Sequence, residues 1–157
     1  MMITKKTGLW LISALTVFML SDPFGASFAA TNLKLNPVLD YTSDSNDGPL
    51  ITGDGLSDGS LRNGTPAYVI FYHRECYNSK RQARRTVELY GKYMGKVDFI
   101  IVDLDTELSK EQQELRERYY RGYIPHVTVM NGKGEAVYDK SGEVGTDKIS
   151  LILDGLL

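Results

Sequence analysis

The residues with chemistry to offer gather in one short stretch, Tyr72-His73-Arg74-Glu75-Cys76-Tyr77-Asn78-Ser79-Lys80, which holds the chain's single cysteine. The thiolate, not the thiol, attacks disulfides, and a helix N-terminus or nearby cations favour it. Arg74, Lys80, Arg81, Arg84 and Arg85 crowd the segment, with Glu75 as the opposing charge. Ser79 stands three residues after Cys76, where a dithiol redox site carries its second cysteine. A hydroxyl there is placed to donate a hydrogen bond to the thiolate. Thiol–disulfide exchange needs only one attacking thiolate to form a mixed disulfide, which a second thiol from elsewhere then releases. Against this stands a cysteine kept in a site without turnover.

Other side chains invite readings of their own. His73 and Cys76 form a His-x-x-Cys pair, and with His126 they are residue types that copper or zinc accepts. A hydrogen-bonded or surface histidine is the commoner case, and strand alternation points His126 away from the thiol; no metal is expected. Asp103 and Asp105 lie two apart where a strand runs out. Paired carboxylates do acid–base work, but a solvated strand end accounts for them better. The basic helix start suits an anion and equally a solvated helix face that Glu88 partly balances. The tyrosines Tyr68, Tyr72, Tyr90, Tyr93, Tyr119, Tyr120 and Tyr123 fit core or rim positions, and no cofactor is expected.

The elements that must position Cys76 are marked by periodicity. Tyr68 to Tyr72 is an apolar run of strand length, suited to a strand buried on both faces. From Ser79 to Met94 the apolar residues Ala83, Val87, Tyr90 and Met94 make one stripe of an amphipathic helix, ended at Gly95. Val97 to Val102 repeats the buried-strand signature. Ser109-Lys110-Glu111-Gln112 is a capping-box start to a charged helix that buries Leu115 and Tyr119. Tyr123-Ile124-Pro125-His126 leads into a strand over Val127–Met130. Asn131-Gly132-Lys133-Gly134 turns it into a strand over Glu135–Tyr138. Thr146 caps a last helix whose Ile149, Ile152, Leu153 and Leu156 form a stripe.

The front of the chain reads differently. Lys5 and Lys6, an apolar core of about a dozen residues from Gly8, and small residues at Ser27 and Ala29 have the layout of a secretory signal peptide. The core is short for a spanning helix, which needs roughly 20 residues, and no cysteine follows it to carry a lipoprotein anchor. The protein is therefore expected to be exported, to the periplasm of a Gram-negative cell or otherwise secreted. Losing residues 1–29 removes two lysines and one aspartate and takes the net charge from −2 to −3. That balance gives no reason to expect nucleic acid as a partner. Export permits disulfides, and an odd thiol there points to intermolecular pairing, a reactive site or a relic. Residues 30–64 are rich in Asn, Asp, Ser and Gly. One short strand is expected over Asn36–Tyr41, a loop over Asp44–Gly59 and a helical turn over Leu56–Leu61.

In order and spacing, the second part of the chain resembles the thioredoxin-like superfamily. Pro66 leads into the strand that delivers Cys76. Cys76-Tyr77-Asn78-Ser79-Lys80 opens a helix, where that family has Cys-x-x-Cys and often a following lysine. Ile124-Pro125 precedes the hairpin strand, where the family holds a cis-proline against the active cysteine. The resemblance covers roughly residues 60 to 157. It implies an α/β chain of thioredoxin-like fold, a mixed central sheet flanked by helices, over 65–157, after a signal peptide at 1–29 and a loop-rich extension at 30–64. The departures matter as much. Ser79 replaces the resolving cysteine, Glu75 the preceding tryptophan, Ile70 a buried acid found in many members, and His126 the threonine common after the proline.

The resemblance further implies Cys76 as nucleophile with Ser79 and Pro125 beside it. Tyr77, Asn78, Tyr123 and Ile124 would line a surface on which an extended peptide pairs by β-type hydrogen bonds. Expected partners are cysteine-containing client proteins or low-molecular-weight thiols held as mixed disulfides. The rival, from another class, is a non-catalytic binding or assembly module that uses the proline groove or the acidic extension. A homodimer bridged through Cys76 stays open as well, and membrane anchorage enters only if the leader is retained.

Overall fold

The computed structural model describes residues 29–157; the expected leader lies outside the described residues except for its last position. Among the described residues the chain runs β1 (Thr31–Leu35), β2 (Ile51–Asp54), β3 (Ala67–Tyr72), α1 (Tyr77–Tyr93), β4 (Asp98–Asp103), α2 (Lys110–Tyr119), β5 (His126–Met130), β6 (Ala136–Ser141) and α3 (Thr146–Asp154). No helix among them is long and apolar enough to cross a membrane.

β3 is buried along its whole length, which its apolar run anticipates. A strand so buried needs cover on both edges and both faces. The edges are taken by β4, parallel, and β5, antiparallel, and β6 closes the order β4-β3-β5-β6. Alternation divides the faces. Tyr68, Ile70 and Tyr72 enter a core with residues of α1 and α3, whereas Ala67, Val69 and Phe71 meet Leu115 and Tyr119 of α2. The expected mixed sheet flanked by helices is the observed architecture.

Helix ends show where local signals decide. At α2 the capping box forms as expected: Gln112 N–H donates to Ser109 Oγ and Ser109 N–H to Gln112 Oε1, both at 3.2 Å. At α3 the expectation is corrected. Gly145 is the cap residue, Thr146 is already helical, and no side chain caps the end. α1 also differs. Ala83 and Tyr90 are buried, but Met94 lies beyond the last helical residue and is 62% exposed. The buried face is completed by Thr86, Leu89 and Tyr93, and by the polar Ser79, Lys80 and Gln82.

The extension is better ordered than its composition implies. Residues 36–41 do not form a strand; β1 and β2 flank them as an antiparallel pair, β2 lying within the Asp44–Gly59 stretch expected to be loop. Pro37 has no N–H to give a ladder. Asn36 instead closes the connection, donating from its backbone N–H to Leu50 O (3.1 Å) and Tyr41 Oη (2.9 Å). Leu33, Tyr41, Leu50 and Ile51 are buried in the same core as Tyr68 and Ile70. β1 and β2 approach closely at Gly53, where a Cβ would lie 2.6 Å from Thr31 O. Leu56–Leu61 forms no helix. That segment runs beside the outer edge of β4, where Gln112 Nε2 bridges Leu56 O (2.8 Å) and Ile101 O (3.0 Å). Arg62 pairs with the buried Asp98.

Candidate functional site

Between Tyr72 and Tyr77 the chain turns sharply, with Cys76 N–H on His73 O at 3.4 Å. Cys76 is the cap residue of α1, with extended backbone (φ −80°, ψ 119°), and its half-buried side chain makes no capping hydrogen bond. Phe71 lies opposite His126 in the sheet. The residues just before β5 therefore sit at the end of β3 from which the chain leaves for Cys76. The Ile124–Pro125 peptide bond there is cis. Pro125 is buried and its carbonyl accepts Gly142 N–H at 2.7 Å. Ile124 is half-buried, and Tyr123 is 73% exposed. Cys76, the exposed Tyr77 and Asn78, and Tyr123 to Pro125 are thus gathered at one end of the sheet.

Ser79 is placed otherwise than expected. It is fully buried, and its Oγ has no hydrogen-bond partner among the described residues, so the expected bond to Cys76 is not formed. As the third residue of the helix it turns its side chain inward, off the cap.

The cations are present as the sequence has them, but each already has a partner. Arg74 Nε donates to Asp103 Oδ2 at 2.8 Å. Arg81 and Arg85 both pair with Glu143. Arg84 lies over the ring of Tyr41, 5.4 Å from its centroid. The fully buried Lys80 donates from Nζ to Asp40 O (2.6 Å), Ser43 O (2.9 Å) and Ser45 Oγ (2.6 Å). Asp44 Oδ1 accepts Tyr77 N–H at 2.6 Å, so a carboxylate occupies the helix donor next to Cys76. These extension residues are what sequence reasoning missed. The spacing of Asp40, Thr42 and Ser43 signals a local turn and says nothing of the helix it rests on.

The histidines are accounted for by hydrogen bonds. His126 is buried, with Nδ1 at 2.9 Å from Ser141 Oγ and Nε2 at 2.7 Å from Asp139 Oδ1. Both ring nitrogens are thus spent on β6. His73 Nδ1 meets Asp105 Oδ1 at 2.7 Å, and the other oxygen of Asp105 accepts Arg74 N–H at 2.7 Å. Burial works to raise the Asp105 pKa, yet those two hydrogen bonds and the charges behind them leave it lowered. Asp103 likewise takes the Tyr72 hydroxyl (3.3 Å) besides Arg74. Neither carboxylate is simply a solvated strand end, as the sequence implied; both bind the turn that carries Cys76. Among the described residues no group of three or more His, Cys, Asp and Glu side chains is arranged to hold a metal ion. A cavity of about 410 Å³ opens beside this turn, lined by His73, Leu104, Leu108, Arg116 and Tyr120 among others.

The extension's turn carries a pH signature. Asp40 accepts hydrogen bonds from Ser43 and Thr42, which lower its pKa from 3.8 to about 2. A carboxylate with a depressed folded pKa stabilises above its unfolded value and loses that contribution as pH falls through the folded one. The turn should therefore hold at pH 4 and loosen between 3.8 and about 2. The Thr42 amide resonance, followed by NMR, is expected to titrate with a midpoint near 2; a midpoint near 3.8 would show that the turn does not protect this carboxylate.

No protein-family model matches the sequence, and no curated protein matches it. Among solved structures the chain is similar to thioredoxin-2 of the malaria parasite, a component of that parasite's protein secretion machinery. The TM-score is 0.50 at 16% identity, over 58% of this chain and 82% of that one. It is also similar to a second malarial protein, with TM-score 0.49 and 16% identity over 59% of this chain and 98% of the other. The first likeness, with the strand order and the helix placement, establishes a thioredoxin-like fold.

Proposed function

We propose that this chain is an exported thioredoxin-fold protein whose Cys76 forms mixed disulfides with partner proteins or low-molecular-weight thiols. The observation that carries the reading is the place of the thiol. It is half-buried at the cap of α1, at the same end of the sheet as Tyr123, Ile124 and Pro125. In the reaction the Cys76 thiolate attacks one sulfur of a disulfide. One S–S bond forms at Cys76, the original one breaks, and the leaving sulfur departs as a thiolate that takes up a proton. The disulfide is itself the oxidant. Release requires a second thiol from the partner or from a small-thiol pool, because Ser79 supplies none. Tyr77, Asn78, Tyr123 and Ile124 then contact the client segment. A Cys76-linked homodimer is a special case in which the partner is a second copy.

A second reading has its own support. The cations of the segment are tied up by Asp103, Glu143 and the extension, and Asp44 sits on the helix donor. Those features suit a binding module that keeps the groove and leaves the thiol idle. One experiment separates the two. The native chain and a Cys76→Ser variant are purified from their own compartment and examined by non-reducing electrophoresis and intact mass. The exchange reading expects an adduct at Cys76 (a protein, a second copy or a small thiol) that reductant removes and the variant lacks entirely. The same mass reports whether residues 1–29 have been removed. A free thiol in every preparation, with partners retained by the variant, would leave only the binding module.

A further inference from the structure

Residues 42–47 are polar, mostly exposed and fixed at both ends. At one end Tyr41 is buried, with its hydroxyl on Leu50 O at 2.5 Å; towards the other end, Leu50 itself is fully buried. Between these anchors the loop meets α1 through hydrogen bonds. Asp44 takes Tyr77 N–H, and Ser43 O and Ser45 Oγ, with Asp40 O just before them, take the ammonium of Lys80. An ammonium has three protons to donate, and these three acceptors match them. A buried charge left without partners is costly, so Lys80 and the loop close together or open together.

We propose that residues 42–47 are a strap that closes over the start of α1 and holds Cys76 in a less reactive state, and that release of the strap makes the thiol competent. The proposal rests on the mixed-disulfide reading above and names the regulation of that site. In the closed form the Tyr77 N–H, immediately after Cys76, is given to a carboxylate. The ammonium of Lys80, one helical turn on, is given to carbonyls and a hydroxyl. A thiolate at the cap draws on both kinds of group. Opening returns them. With Tyr41 and Leu50 still buried, opening gives up only the polar contacts of the loop, a local event of the kind that leaves a domain folded.

The test is the rate at which iodoacetamide alkylates Cys76, compared between the full chain and an Asp44→Ala, Ser45→Ala double variant. The variant loosens the strap and leaves Lys80 and Cys76 in place. Alkylation is expected to quicken by roughly tenfold, the factor that loss of one charge-assisted hydrogen bond commands. Faster exchange of the Tyr77 amide and an unchanged far-UV spectrum should accompany it. An unchanged alkylation rate with the Tyr77 amide released overturns the proposal. Should the variant unfold, the wild-type chain in low urea serves instead. A rate that rises with a slope well below that of global unfolding supports a strap that opens locally. A rate independent of urea, or one that follows global unfolding, overturns it. The two readings fail separately: quickened alkylation with no adduct captured in the cell keeps the strap and removes the exchange function.

Discussion

A Ser79→Cys variant is expected to close a disulfide between Cys76 and the introduced thiol under mild oxidation, converting a monothiol chain into a dithiol one. The geometry of the helix start is the reason. Cys76 is the cap residue and Ser79 the third residue of the helix, the two positions whose side chains meet across a helix start in a capping box. Residue 79 points inward in the parent chain, so the new thiol has to turn towards the cap to close the bond. Ser79 Oγ is buried without a hydrogen-bond partner, so exchanging it for sulfur breaks no hydrogen bond. Cysteine is also at ease in buried surroundings. Intact mass should show the loss of two hydrogens on oxidation, and both alkylatable thiols should vanish together. The reduction potential, measured against glutathione, should fall in the span of roughly −270 to −120 mV found for thioredoxin-type couples. If both thiols stay alkylatable under oxidising glutathione, the start of α1 does not have the geometry of a dithiol site. Resemblance to such a site would then be confined to topology.

The central strand and the position of Cys76 after it are legible in the sequence because both are local, whereas the order of the sheet came only with the resemblance. Tyr68 to Tyr72 has the length and unbroken apolar character of a buried strand, and the polar residues after it suit a turn. What rests against the start of α1 is not legible. Asp44, Ser43 and Ser45 read as loop, and their partners on α1 lie 33 to 37 residues away. Nothing in a polar loop states which surface it will rest on. The basic cluster shows the same limit. Its composition is plain, but its neutralisation depends on Asp103, 29 residues from Arg74, and on Glu143, 62 residues from Arg81. Reading the cluster as free charge around the thiol follows from composition alone; the fold spends that charge on holding the turn and the corner before α3. The apolar stripe of α1 misleads for a related reason. Hydrophobic periodicity cannot register Ser79, Lys80 and Gln82, which are buried although polar.

Gln82→Ala is expected to lower unfolding free energy by about 3 kcal/mol, from a cavity and two lost hydrogen bonds. Gln82 is fully buried between the sheet and the start of α3. Its Oε1 accepts Val144 N–H at 2.9 Å and its Nε2 donates to Tyr68 Oη at 3.2 Å. Tyr68 Oη also meets Thr86 Oγ1 at 2.9 Å, and burial pushes the Tyr68 pKa up to about 12 against those hydrogen bonds. Truncation strands the backbone N–H of Val144 in the core, where no water replaces the amide at low cost. The neighbouring Glu143 is held by Arg81 and Arg85 of the same helix. One face of α1 therefore fixes the corner at which α3 begins. Urea unfolding should show a lower midpoint with little change in slope. Gln82→Leu discriminates the causes, since it refills most of the volume and restores no acceptor. It should recover only part of the loss. If it returns the midpoint to that of the parent chain, the hydrogen bond to Val144 contributes nothing, and the corner is held by packing and by the Glu143 ion pairs alone.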